Sequence, residues 1–395
     1  MKKHLLGSMT ALALLAGVSG VVAQEVGVAE FTSLDNEYWS NFDKGAQQAS
    51  EGLGLEYRVL TNGGDAAKQI ANYEAQITAG AKIFYGNAQD VGNVKQIAEK
   101  VKAAGGTYVG IWDSLPWFHP IDNGEDNYSY ATYMAPDGAD NAYVIAKALF
   151  DSIGGKGNLV HITGYPGSGA EVARTTGVDR ALAEYPDIKL IARQPGNWNQ
   201  IDSRKVMEDI IVANPQIDAV FGQNDSVGVG AMQALEDAGL KVPVVGLDGN
   251  AETLQLIKEG RFFGTMTFTP GWQAGYLVAR AYDVANGWKP SACERMMFMG
   301  AKLITSENVD DYIAFVSGDK LPFDWKKMSR VLHPEDWDPQ NRVWPIDVEK
   351  FSEWSITPKP DGYTLPKAYT DAVADGCIEK LTAEYDEHYK TGIPR

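Results

Sequence analysis

The chain is short of the residues that most reactive sites use. Of its 395 residues only two are cysteine, Cys293 and Cys377, and five are histidine. Beyond the N-terminal segment stand His119, His161, His333 and His388, and no two of them have the spacing of a metal-binding pair. Phosphate-cradling loops are missing as well. There is no Gly-x-x-x-x-Gly-Lys run, and Gly228-Val229-Gly230 lacks the third glycine of a dinucleotide-binding turn. Pro166-Gly167-Ser168-Gly169 has proline where a nucleophile elbow needs its first glycine. The reading therefore calls for no catalysis, no cofactor and no metal. Basic residues are outnumbered, 35 Lys and Arg against 52 Asp and Glu, for a formal charge of −17. Such a surface repels phosphate backbones and argues against nucleic acid as a partner.

Long apolar runs are absent with one exception. Lys2 and Lys3 precede the largely apolar stretch from Ala11 to Val22, and Val21-Val22-Ala23 puts small or branched residues where a signal peptidase cuts. The run is shorter than the ~20 residues of a spanning helix. Residues 1–23 thus read as an export signal, cleaved near Ala23, rather than as an anchor, and the expected location is the periplasm. No cysteine near the cut offers a lipid attachment. Loss of Lys2 and Lys3 removes two positive charges from −17 and leaves −19. The remaining chain of roughly 370 residues exceeds what a single core supports, so two domains are expected. In an oxidising compartment Cys293 and Cys377 could pair and staple the C-terminal segment to the body. Two unrelated buried thiols is the other reading, and both stay open.

What the sequence does contain is a β–α rhythm. Strands read at Val26–Phe31, Glu56–Leu60, Lys82–Tyr85 and Tyr108–Trp112, with helices at Tyr38–Leu53, Ala66–Ala79 and Val91–Ala104 between them. After an irregular stretch the rhythm restarts at Asn158–Thr163 and runs to Phe263–Thr267. A helix at Gly271–Asn286 and a short strand at Ala301–Thr305 follow, with a last helix at Tyr369–Tyr389. One rhythm played twice implies an α/β protein with two similar lobes of parallel sheet.

Polar and aromatic residues collect where these strands end, the edge at which open parallel sheets bind ligands. Asn36, Tyr38 and Trp39 follow the first strand, Asn87 the third and Asp113 the fourth. In the second half Arg174, Trp198, Asn224 and Asp248 hold the matching places. Carboxylates accept from sugar hydroxyls, Arg and Asn donate to them, and indole faces cover an apolar C–H surface. Blander roles exist: Asn36 and Asp225 as helix caps, Arg174 as a surface cation, Trp198 as interlobe packing.

The segments Asn36-Glu37-Tyr38-Trp39, Asn87, Asp113, Arg174, Trp198, Gln223-Asn224-Asp225 and Val245-Gly246-Leu247-Asp248-Gly249 resemble the ribose-type periplasmic binding proteins of ABC importers, from about Glu25 to Val309. The resemblance implies two Rossmann-like lobes joined by a three-segment hinge, with one hydroxylated ligand, a monosaccharide or sugar alcohol, held by Asn36, Tyr38, Trp39, Asn87 and Asp113 from one lobe and Arg174, Trp198, Asn224 and Asp248 from the other. It further implies a monomer that delivers its ligand to a permease in the inner membrane. Residues 24–130 and 268–300 would form the N-terminal lobe and 131–267 and 301–310 the C-terminal lobe, leaving 311–395 as an extension packed on the body. Two departures argue against ribose itself: Ser114 stands where these proteins carry arginine, and Thr267-Phe268-Thr269 where they carry glutamine. Two rival readings use the same cleft. One is an exported carbohydrate-acting enzyme with Asp113 and Asp248 as its acid and base; the other is a sensory receptor.

Overall fold

The computed structural model describes residues 25–115, 117–124, 127–214, 216–351 and 359–393. The leader read at residues 1–23 lies outside them. The first half of the chain runs β1 (Val26–Phe31), α1 (Glu37–Leu53), β2 (Glu56–Thr61), α2 (Ala66–Thr78), β3 (Ile83–Asn87), α3 (Val91–Ala103), β4 (Thr107–Ile111) and β5 (Tyr130–Pro136). The second runs α4 (Gly138–Ser152), β6 (Gly157–Thr163), α5 (Gly169–Glu184), β7 (Ile188–Pro195), α6 (Gln200–Ala213), β8 (Ala219–Gly222), α7 (Asp225–Asp237), β9 (Val244–Asp248), α8 (Ala251–Lys258) and β10 (Gly264–Thr267). Then come α9 (Pro270–Ala285), β11 (Met296–Met299), β12 (Lys302–Thr305), α10 (Val309–Val316), β13 (Val343–Pro345), α11 (Lys367–Ala374) and α12 (Cys377–His388).

The first sheet has the order β2-β1-β3-β4-β5-β11-β13, the second β7-β6-β8-β9-β10-β12. Among the described strands of the two sheets, only the edge strands β13 and β12 pair antiparallel. Each lobe therefore repeats the order 2-1-3-4-5, in which loops leave the first and third strands in opposite directions and open a crevice beyond their carboxyl ends. β3, β4, β8 and β9 are buried along their whole length, which is why they read as near-continuous apolar runs. α1 is capped by Asn36, buries Tyr38, Phe42, Ala46, Ala49 and Leu53 along one face, and stops at Gly54, whose φ of 80° suits glycine. A methyl group on Gly45 would overlap the Gly271 backbone, so α1 and α9 cross at close range beside the hinge.

The chain passes between the sheets from β5 to α4, from β10 to α9 and from β11 to β12. The lobe boundary drawn after residue 130 moves. All of β5 stays in the first sheet, where β4 and β11 flank it through Pro136. α4, for which the sequence reading gave no element, buries Ala142, Ile145, Ala146, Leu149 and Phe150 against the second lobe.

The tail is more closely integrated than the sequence suggested. β13 extends the first sheet, and Trp325 and Trp337 join the core formed by α1 and α9. Trp337 stacks on His388 at 4.1 Å between ring centres, and the Trp272 indole donates to the Pro339 carbonyl at 2.8 Å. Cys293 and Cys377 are bonded to each other, with Cα atoms 6.4 Å apart. The single helix expected over Tyr369–Tyr389 is two, because the chain turns at Gly376 with φ 78°.

Candidate functional site

Between the lobes lies a cleft of about 390 Å³, within the range of small-molecule sites. All nine residues singled out from the sequence line it: Asn36, Tyr38, Trp39, Asn87 and Asp113 from the first lobe, Arg174, Trp198, Asn224 and Asp248 from the second. They converge because both sheets point their carboxyl edges at the same gap.

Arg174 sits at the centre and is buried. Its guanidinium carbon lies 5.5 Å from the ring centre of Trp112, 5.1 Å from that of Trp198 and 5.3 Å from that of Phe268. Three aromatic faces thus hold a planar cation in place. One terminal nitrogen donates to the Gln223 carbonyl, while Nε has no partner. Burial pulls the Arg174 pKa down, and the nearby Asp248 charge opposes that shift. Asp248 is driven far up by burial, with Arg174 the largest opposing influence. Across the cleft Asp113 is pushed up to about 7 by burial, against a hydrogen bond from Asn87. The buried Asn87 Oδ1 is likewise unpartnered. Buried polar groups without partners are rare, and these two lie in residues that line the cleft from opposite lobes.

Several of the nine also have structural duties. The Asn36 side chain accepts from the Tyr38 amide at 2.9 Å, and Asn224 caps α7 through the Val227 amide at 2.9 Å. The Tyr38 hydroxyl donates to Gln273 Oε1 at 2.7 Å and accepts from the Trp112 indole at 2.7 Å, so Tyr38 offers the cleft its ring rather than its hydroxyl. Asp225 lies behind the site and accepts from the amides of Gly249 and Asn250 and from the Thr265 hydroxyl. Those bonds shape the turn that turns Asp248 inward.

Strain gathers here too. Trp112, Asn197, Trp198, Asp248 and Thr269 all have positive φ, and among the described residues only Gln340 joins them outside glycine. Such backbone costs ~1–3 kcal/mol per residue and persists where the surroundings dictate it. A methyl group on Gly164 would overlap the Trp198 indole, so this glycine gives the ring its seat.

Sequence reasoning missed Trp112, Phe268 and the support beneath Asn87. That support is Glu30, buried in β1 and accepting from Asn62, Gln69 and Asn72; Gln69 in turn donates to the Asn87 carbonyl at 2.9 Å. Burial raises the Glu30 pKa to about 7. A lone glutamate inside the apolar run Val26–Phe31 was the available signal.

A family model described as a periplasmic binding protein domain matches residues 31–289. The chain belongs to the periplasmic binding protein family. Among relatives of this binding protein, the D-apiose import binding protein of Actinobacillus succinogenes is 32% identical over 311 residues, covering 78% of this chain and 96% of the relative. The xylitol-binding protein of Mycolicibacterium smegmatis is 39% identical over 179 residues, 44% of this chain and half of the relative. Among solved structures, a twin-arginine translocation pathway signal protein from Burkholderia phytofirmans superposes with a TM-score of 0.69 at 30% identity, covering 74% of this chain and 93% of its own. The family likeness thus spans the two lobes and leaves most of the tail beyond α10 unmatched. Among the described residues, no helix is long and apolar enough to cross a membrane.

Proposed function

We propose that this protein is the exported solute-binding component of an ABC importer, which captures one neutral hydroxylated molecule, a monosaccharide or sugar alcohol, and delivers it to a membrane permease. The observation that carries the reading is the convergence of polar side chains from both lobes on one cleft. Asn87 and Asp113 line it from one lobe, Arg174 and Asp248 from the other. A ligand touched from both sides at once has contacts in the closed form that the open form does not offer, and it shifts the population toward closure. The relatives that bind xylitol and import D-apiose support a polyol or pentose class. The leader-like segment supports export to the periplasm, where the protein is read as acting as a monomer, and no step of the cycle calls for a cofactor or bond-breaking chemistry.

A thermal-shift screen against monosaccharides and sugar alcohols tests this. At a ligand concentration of about 100 times Kd, stability rises by ~2.7 kcal/mol, and mass spectrometry recovers the ligand unchanged. A panel that produces no shift, or a ligand recovered as a reaction product, overturns the proposal.

A further inference from the structure

Three crossings join the lobes up to the start of β12, but the tail makes another. α10 belongs to the second lobe: Val309 and Tyr312 are buried with Ile304, Leu254 and Ile257, and Lys258 pairs with Asp310 at 2.6 Å. Directly after α10 the chain is tied to α1 of the first lobe. Lys44 Nζ donates to the Gly318 carbonyl at 2.7 Å, Gln48 Nε2 donates to the Asp319 carbonyl at 2.7 Å, and the Leu321 amide donates to Gln48 Oε1 at 2.9 Å. Only Ser317 separates the end of α10 from Gly318, a reach of about 7 Å for fully extended backbone. Beyond the tie, Trp325 is buried against Gly52 and Gly275 in the first lobe, so the segment has no slack to draw on from that side.

The same helix grips one of the three ordinary crossings. The Tyr312 hydroxyl lies 2.7 Å from Thr267 Oγ1 and 3.1 Å from Thr269 Oγ1. Those two threonines flank Phe268, whose ring lies under Arg174 and 5.5 Å from the Trp112 ring. Hinge closure works by changing φ and ψ in the few residues that cross between lobes. Here one such crossing is clamped from outside, and a short extra connection runs beside it.

We infer that residues 317–321 and Tyr312 make the C-terminal extension a fourth element of the hinge, one that limits how far the lobes separate when no ligand is bound. A narrower open ensemble lies nearer to the closed form and loses less affinity to an unpopulated binding state. The inference depends on hinge closure in the proposed function, not on the identity of the ligand.

The test uses ligand-free protein, so it stands apart from any failure to find a sugar. Spin labels go on Gln96→Cys in α3 and Lys205→Cys in α6, both exposed, with the native cysteines occupied by their disulfide. Interlobe distances are compared in the wild-type background, in a variant with a protease recognition sequence inserted between Gly318 and Asp319, and in that variant after cleavage. The distribution should widen in that order, by on the order of 5 Å at its long edge after cleavage. Equal or narrower distributions overturn the inference. Should the insertion variant fail to fold, Lys44→Ala combined with Gln48→Ala removes the three ties without altering the backbone, and Tyr312→Phe releases the clamp. Each should widen the distribution, and no widening in either is equally decisive against it.

Discussion

Glu37 and Ala251 stand on different lobes, and Oε1 of the glutamate accepts the alanine backbone N–H at 2.6 Å. The carboxylate occupies the N-terminus of α8, where Asn250 makes no side-chain cap of its own. A negative charge is favoured at a helix N-terminus, and a charge-assisted bond there is worth about 1 kcal/mol. Because the two residues belong to separate lobes, this bond stabilises the closed form specifically.

Glu37→Ala should therefore weaken sugar or polyol binding about fivefold while leaving the melting temperature of the ligand-free protein nearly unchanged. Glu37→Gln, which keeps an acceptor and loses the charge, should fall between. Calorimetric titration reads both, and an unchanged Kd in the two variants rules out the latch.

Arg174→Lys tests whether the planar cation matters. Lysine keeps the charge but cannot fill the slot between Trp112, Trp198 and Phe268 or reach the Gln223 carbonyl and the ligand together. Binding should weaken 10- to 100-fold, the equivalent of one lost hydrogen bond to a charged group, at about 1.5–3 kcal/mol. Near-native affinity would show that the site needs only a charge.

Gly164→Ala places a methyl group into the Trp198 ring. Overpacking of this kind costs ~1–3 kcal/mol, and here it is relieved by displacing the indole from the cleft. Ligand affinity should fall by tenfold or more with the circular dichroism spectrum intact. Retained affinity would remove Trp198 from the site.

The buried carboxyls set a pH dependence. Burial lifts Asp113 and Glu30 to about 7 and Asp225 to about 6. The unfolded chain releases these protons near pH 4. Over the interval between, the folded protein holds protons that the unfolded one has lost, so these carboxyls make stability fall as pH rises toward 7, outweighing the single opposing contribution below pH ~6.5 from buried His161, whose pKa is lowered to about 3. The ligand-free melting temperature should decline from pH 5 to pH 8, and Asp113→Asn should flatten that slope. A slope of the opposite sign would contradict the buried, protonated state of these groups.

Much of this was legible beforehand, for identifiable reasons. Asp113 and Asp248 follow or end buried, largely apolar strands, and a carboxyl in that place is conspicuous in one dimension. Gly54 marked the end of α1 because a left-handed residue was needed there. α4 carried its own signal in Ala142, Ile145, Ala146, Leu149 and Phe150, at helical spacing, but followed an irregular stretch that broke the rhythm. Other features have no local signal. β13 is three residues long and exists because β11 offers an edge to pair with. Trp112 reads as the end of β4, yet it leaves the strand with φ 65° and turns its ring onto Arg174. The tie between Lys44 and Gly318 joins residues 274 apart in the sequence.

The central claim is that one hydroxylated molecule is held by both lobes at once. A crystal structure with whichever monosaccharide or sugar alcohol gives the largest thermal shift tests it most directly. The ligand should lie within hydrogen-bonding distance of Asn87 or Asp113 on one side and of Arg174 or Asp248 on the other. Density confined to a single lobe, or seated away from Arg174, would contradict it.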